Sequence, residues 1–244
     1  MASPSCCVLV KNEAYWLPFT LKQTLGHFDS YVIYDVGSTD GTRDIIDWFV
    51  EEVGDRAEMF VRYLPDCEPK VQGTFRNSMI AEGHRDSYFI LDGDELYKQE
   101  DLAKISGFAE DLESKHAENL KKRFGVFQRV EMSTDLTQQY DRRRSHHRIY
   151  TRDAFWTGTH PGEVSSHKQN EKSEHYYPAT CWHLHNALRS PAEADVQKRV
   201  QRKSKKTYHP GNLIPMDLLS EVPILRKRIE SFPVSPALEA LWEK

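Results

Sequence analysis

The chain has 244 residues, with 33 Lys or Arg set against 37 Asp or Glu for a formal charge of −4, which excludes a general nucleic-acid binder with a basic footprint. It is 39% hydrophobic and 11% aromatic, enough for a buried core, and no apolar run reaches the roughly 18 residues of a membrane-spanning helix. The cysteines at 6, 7, 67 and 181 show no CxxC spacing, which argues against a zinc site or a disulfide framework and for buried thiols in a reducing compartment.

In chain order, Cys6 to Val10 is a short apolar run between turn signals and predicts a strand, too short and wrongly flanked to be a signal peptide. The spacing of Leu17, Leu21, Leu25 and Phe28 predicts a helix, with Pro18 in its first turn. Tyr31 to Tyr34 predicts a second strand ending at Asp35. The tight loop Gly37-Ser38-Thr39-Asp40-Gly41-Thr42 then offers Asp40 or Ser38 as a cap. Ile45, Ile46, Phe49, Val50 and Val53 form the next helix's buried stripe. Met59 to Tyr63 predicts a strand, Gln72 to Gly83 a helix and Tyr88 to Leu91 a fourth strand.

Strands alternating with helices imply βαβ units and a mainly parallel sheet with right-handed crossovers. The fold class expected is therefore α/β and Rossmann-like. Neither G-x-G-x-x-G nor a Walker loop occurs, which disfavours a dinucleotide and a P-loop. Beyond residue 100, Leu102, Ile105, Ala109 and Leu112 predict one more helix, and Phe124 to Val130 and His147 to Thr151 predict strands flanking a loop at Asp141 to Ser145. Acceptor-side chemistry is expected in Phe155 to Glu163 and Cys181 to Asn186. Ser190-Pro191-Ala192-Glu193 reads as a capping box opening a helix. Between Arg189 and His209 there are seven Lys or Arg and two acids, a solvated helix face or a contact with an anionic surface. Helical spacing continues from Met216 to Ile229, followed by a short Pro-containing segment.

The most informative stretch is Ser87-Tyr88-Phe89-Ile90-Leu91-Asp92-Gly93-Asp94-Glu95, a buried strand running into carboxylates. In open α/β sheets, ligands bind outside the carboxyl ends of the strands. Asp92 and Asp94 are two apart and share a face of an extended chain, where two like charges call for a cation. A hard divalent ion takes such oxygen ligands together with substrate phosphates.

Val10-Lys11-Asn12-Glu13, Asp35-Val36-Gly37-Ser38-Thr39-Asp40-Gly41-Thr42, Arg76-Asn77 and Leu91-Asp92-Gly93-Asp94-Glu95, in that order, resemble the family 2 glycosyltransferases of GT-A fold. The match covers roughly residues 5 to 100, with looser echoes to about 205. The resemblance implies a single GT-A domain over 1–244, with a nucleotide-sugar-binding half at 1–100, an acceptor-side half at 101–210 and a helical tail at 211–244. It implies metal-dependent inverting transfer of a hexosyl or deoxyhexosyl group from a nucleotide sugar, expected to be UDP-linked, to a glycan, lipid-linked or protein hydroxyl. Asn12, Glu13, Asp35, Arg76 and Asp92 would bind the nucleotide sugar; Asp92, Asp94 and His185 or His183 would hold Mn2+ or Mg2+. Inverting transfer needs a base, for which Glu163 is the first choice and His160 the second. A cytoplasmic protein is expected, with peripheral membrane contact through the basic stretch at 198–206. The competing readings are a nucleotidyltransferase, which would want a glycine-rich, lysine-containing loop after the first strand, and a noncatalytic carbohydrate or nucleotide binding module.

Overall fold

The computed structural model describes residues 3–66, 71–118, 123–133, 135–141, 143–154, 156–157, 164–165, 174–185, 212–229 and 232–243. Their strands are β1 (Ser5–Val10), β2 (Ser30–Val36), β3 (Glu58–Leu64), β4 (Ser87–Leu91), β5 (Glu95–Tyr97), β6 (Phe124–Glu131), β7 (Gln138–Tyr140), β8 (Arg144–Thr151), β9 (Trp156–Thr157), β10 (Val164–Ser165), β11 (Glu174–His183) and β12 (Leu213–Pro215). The helices are α1 (Leu17–Lys22), α2 (Thr42–Val53), α3 (Gln72–Gly83), α4 (Gln99–Leu102), α5 (Ile105–Ala117), α6 (Leu218–Glu221) and α7 (Pro236–Trp242).

Eight strands form one sheet in the order β3-β2-β1-β4-β8-β6-β11-β5. The first four are parallel; β8 is antiparallel to both β4 and β6, β11 is parallel to β6, and β5 is antiparallel to β11. This is the Rossmann-like GT-A class expected from the sequence. Alternation along each strand decides which face a side chain serves. Val8, Val10, Phe89 and Leu91 meet α1, α2 and α5 through Leu17, Ile45, Phe49 and Leu112. Cys7, Leu9 and Ile90 meet Met79 and Ile80 of α3 on the other face. Each such large apolar side chain contributes about 1.5–3 kcal/mol on burial. Because the chain runs from β1 outward to β3 and then returns to the opposite side of β1 to lay down β4, the strand order reverses between β1 and β4. That crevice is where an open sheet of this kind places its ligand.

A third cluster joins Trp16 and Phe19 to Leu96, Val130, Trp182 and the C-terminal residues Leu218, Leu225 and Leu238. Cys6, Cys7 and Cys181 are free and fully buried. Opposite Phe127 the ladder between β6 and β11 is interrupted: Val126 pairs with Tyr176, but Gln128 pairs with Thr180. Pro178, which has no N–H to give, sits in that bulge.

Several sequence expectations need correction. The single helix from Leu102 to Leu112 is two, α4 and α5, separated at Ala103 and Lys104. Arg144 and Ser145 belong to β8 rather than to a loop, and β5 and β7 are strands too short to leave a periodic signal. The tail at 211–244 is not one helical run. It holds β12, the single-turn α6 capped by Asp217, a 3-10 turn at Pro223–Arg226, and α7 in the Pro-containing segment. The capping box at 190–193 and the basic stretch at 198–206 lie outside the described residues. Among the described residues no helix is long and apolar enough to cross a membrane.

Candidate functional site

Two loops at the carboxyl ends of β1 and β2 are tied to each other before any ligand is considered. Asn12, at φ 56°, donates its backbone N–H to Ser38 Oγ at 2.8 Å and accepts from the Thr39 N–H at 2.8 Å. The Glu13 N–H donates to Thr42 Oγ1 at 2.9 Å, and Asp40 accepts from the N–H groups of Ala14 and Thr42, both at 3.1 Å. Asp35 is fully buried, accepting from Arg43 Nε at 2.6 Å and the Ser38 N–H at 3.1 Å, so its carboxylate fixes the loop. Gly93 lies against Glu13: a Cβ there would come within 2.8 Å of Glu13 Cγ, so only glycine lets the acidic turn seat this closely.

Asp92 and Asp94 face different partners. Asp92 lies between two guanidinium groups, Arg76 Nη2 at 3.2 Å from Oδ1 and Arg148 Nη2 at 2.9 Å from Oδ2. Burial opposes its ionisation, but Arg148 and Arg76 outweigh burial and hold the carboxyl far below the usual range. Arg148, on β8, also lies 3.0 Å from Glu95 Oε1, and His146 Nε2 approaches the same oxygen at 2.8 Å. Glu95 is fully buried, and burial pushes its carboxyl up to about 7 against the pull of Arg148. His146 is held well below its ordinary value, first by burial and then by Arg148. Arg76 packs its Cζ 4.8 Å from the Trp156 ring. Asn77 fixes Trp156 in turn, accepting its backbone N–H at 2.7 Å and donating to its carbonyl at 3.0 Å. Arg76 Nε and Nη1 and Arg148 Nε are buried and have no hydrogen-bond partner among the described residues.

Asp94 faces two histidines. His183 Nε2 is 3.6 Å from its Oδ1 and His185 Nδ1 is 3.5 Å from its Oδ2, with the two imidazoles stacked 5.2 Å apart. The Leu184 N–H donates to the Asp94 carbonyl at 2.9 Å and clamps the acidic turn onto the end of β11. In the sheet register, His183 is opposite both Glu95 and Glu131, so the three form one row across β5, β11 and β6. Glu131 Oε2 lies 2.9 Å from His183 Nδ1, which leaves Nε2 to point at Asp94. Burial disfavours the imidazolium of His183, but Asp94 and Glu131 prevail and raise its pKa. One ligand atom each from Asp94, His183 and His185 lies within 4.8 Å of the others, and the same holds for Asp92, Glu95 and His146.

The expected residues thus fall into separate places. Asp94, His183 and His185 converge; Asp92 joins Arg76 in a neighbouring ion network; Asn12, Glu13 and Asp35 shape the adjacent loops. Glu163 and His160 lie outside the described residues. Sequence reasoning missed Arg148, His146 and Glu131, as well as the fully buried role of Glu95. The signal for the first two was present: His146 and Arg148 are two apart on a strand and share a face. Glu131 directly follows a run read as an apolar strand, but its partner is 52 residues away.

No family model and no curated protein sequence matches the chain. Among solved structures, TarS 1-349 from S. aureus aligns over 62% of this chain and 47% of its own, with 16% identity and a TM-score of 0.43. The same protein in complex with UDP-GlcNAc aligns over 53% of this chain and 34% of its own, with 17% identity and a TM-score of 0.35. Glucosyl-3-phosphoglycerate synthase from Mycobacterium tuberculosis, in complex with Mn2+, UDP and glucosyl-3-phosphoglycerate, aligns over 56% of this chain and 47% of its own, with 16% identity and a TM-score of 0.35. The chain spans less than half the length of the structures it matches.

Proposed function

We propose that this protein is a metal-dependent, inverting glycosyltransferase that moves a hexosyl or deoxyhexosyl group from a UDP-sugar to a hydroxyl of a glycan, lipid-linked or protein acceptor. The observation that carries this reading is the pairing, at the strand-order reversal, of a carboxylate with two imidazoles beside two buried guanidinium groups whose N–H donors include several unpaired among the described residues. A nucleotide diphosphate needs both features: a cation site, and fixed donors for phosphate oxygens.

The donor set fits a divalent metal. One carboxylate oxygen and two imidazole nitrogens suit manganese better than magnesium, which prefers oxygen ligands alone. Held by Asp94, His183 and His185, the ion would supply Lewis-acid stabilisation to the departing diphosphate. Glu131 fixes the tautomer that presents His183 Nε2. Arg76, braced on Trp156 and Asp92, offers its remaining N–H groups to phosphate oxygens. Asn12, Glu13 and Asp35 hold the loops that would wall the nucleotide. Glu163, with His160 as alternative, takes the proton from the attacking hydroxyl.

Release of UDP from UDP-sugars, with and without Mn2+, tests the reading. Turnover is expected with Mn2+ and lost in Asp94→Ala protein that keeps its melting temperature. Equal turnover after chelation and in Asp94→Ala would overturn it, as would pyrophosphate release from a nucleoside triphosphate in place of UDP release.

A further inference from the structure

Across the middle of the mixed half-sheet the register sets Ser145, Gln128 and Thr180 in one row, on β8, β6 and β11. Alternation puts this row on the face that also carries Val126, Val130 and, two steps along β6, Tyr176, which pairs with Val126 across the bulge. Apolar clusters cover that face at both ends: Phe124 joins Tyr88 and Tyr150, and Val130 joins Trp182 and the C-terminal residues. Between the clusters the sheet is left bare. Gln128 and Thr180 are only half-buried there, and Tyr176 is 60% exposed.

A cavity of about 460 Å³ opens over this row, a size that suits a small ligand. Arg143 and Arg144 line it, and among the described residues no acid does. Arg143 donates Nη1 to Gln128 Oε1 at 2.5 Å, a neutral partner, and forms no ion pair among the described residues. The acids bordering the cavity are engaged elsewhere. On β11, Glu174 accepts from Tyr176 Oη at 2.9 Å and lies 2.7 Å from His147 Nε2. In the adjoining cavity, which shares Arg143 and Thr180, Glu221 is 2.5 Å from Lys98 Nζ and Asp217 caps α6 by accepting from the Ser220 N–H at 3.1 Å. Arg143 thus brings a positive charge without a carboxylate partner to a lining of hydroxyls and an amide that both donate and accept.

We infer that this cavity binds an anionic sugar, with a phosphate or carboxylate group on the Arg143 guanidinium and the sugar ring against Tyr176. A guanidinium takes either oxyanion through parallel N–H bonds, and Gln128 steadies one end of the Arg143 fork for that role. Ser145 and Thr180 match the ring hydroxyls, and the exposed Tyr176 offers an apolar face to the C–H side of the ring. The site lies on the face of the sheet opposite His183 and Glu131. Binding stands on the cavity alone; only its use as a hold for an acceptor rests on the transferase reading.

Titration calorimetry of the full chain in EDTA tests this, with glucose 6-phosphate, N-acetylglucosamine 6-phosphate and glucuronic acid each set against its neutral parent sugar and against inorganic phosphate. At least one anionic sugar is expected to bind about tenfold more tightly than its parent and than inorganic phosphate, and the tighter class identifies the oxyanion. Arg143→Gln is expected to weaken that ligand by about tenfold and Tyr176→Ala by about fivefold, both at exposed positions, while UDP binding with Mn2+ is unchanged. Asp94→Ala is expected to lose metal-dependent turnover and keep the anionic sugar, which separates this site from the transfer reading. The inference is overturned if no anionic sugar exceeds both its parent and inorganic phosphate, if binding survives both Arg143→Gln and Tyr176→Ala, or if Asp94→Ala abolishes it.

Discussion

Two neighbouring clusters of the same residue types behave oppositely. Asp92, Glu95 and His146 surround a cation the chain already provides, since Arg148 reaches Asp92 at 2.9 Å and Glu95 at 3.0 Å. Asp94, His183 and His185 have equally close ligand atoms, with imidazole nitrogens 3.6 Å and 3.5 Å from the Asp94 carboxylate. In the first cluster Arg148 neutralises the acids within the fold, whereas in the second Asp94 meets the imidazoles of His183 and His185. Carboxylate and imidazole spacing alone therefore does not distinguish the two clusters; the arginine seated in the first does.

The sharpest way to break this contrast is to remove Arg148. Arg148→Met leaves buried Glu95 without its guanidinium and Asp92 with Arg76 alone, and is expected to cost about 3–5 kcal/mol of stability, read as a lower melting temperature that Mn2+ partly restores by entering the vacated cluster. Asp94→Ala should do the reverse, keeping the metal-free melting temperature while metal-dependent UDP release falls by about 100-fold or more. A large stability loss in Asp94→Ala, with none in Arg148→Met, would invert the assignment. Glu131→Gln leaves all three ligands in place but weakens the hold on His183, so Mn2+ affinity by calorimetry is expected to fall about tenfold.

A further effect concerns pH. Glu95 titrates near 7 when folded, raised from the ordinary carboxylate value by burial. A raised folded pKa gives a contribution that is fully present below the unfolded pKa and lost as pH rises through the folded one. Wild-type protein should therefore lose stability relative to Glu95→Gln between pH 5 and 8, by about 2–3 kcal/mol. A flat difference across that range in paired thermal melts would show that Glu95 stays ionised.

Much of the parallel half was legible because its signals are local. Ile45, Ile46, Phe49 and Val53 mark α2 by spacing, and Tyr88 to Leu91 mark β4 by an unbroken apolar run. The acidic turn announced itself for the same reason. The mixed half was less readable: β5 has three residues, β11 is broken by its bulge, and α6 is a single turn. That Asp92 would be gripped by Arg148 was beyond reach, because Arg148 is 56 residues from it in sequence and arrives only through strand pairing. His183 and His185, between which the sequence offered a choice, both approach Asp94.

The sealed thiols give the two halves separate reporters. Burial pushes Cys7 up to about 12 and raises Cys6 and Cys181 well above an ordinary thiol, so in the closed sheet none of them offers the thiolate an alkylating reagent needs. Cys6 and Cys7 lie on β1 in the parallel half, and Cys181 lies on β11 in the mixed half. Iodoacetamide labelling followed by peptide mass mapping would time the opening of each half independently and reveal which one loosens first.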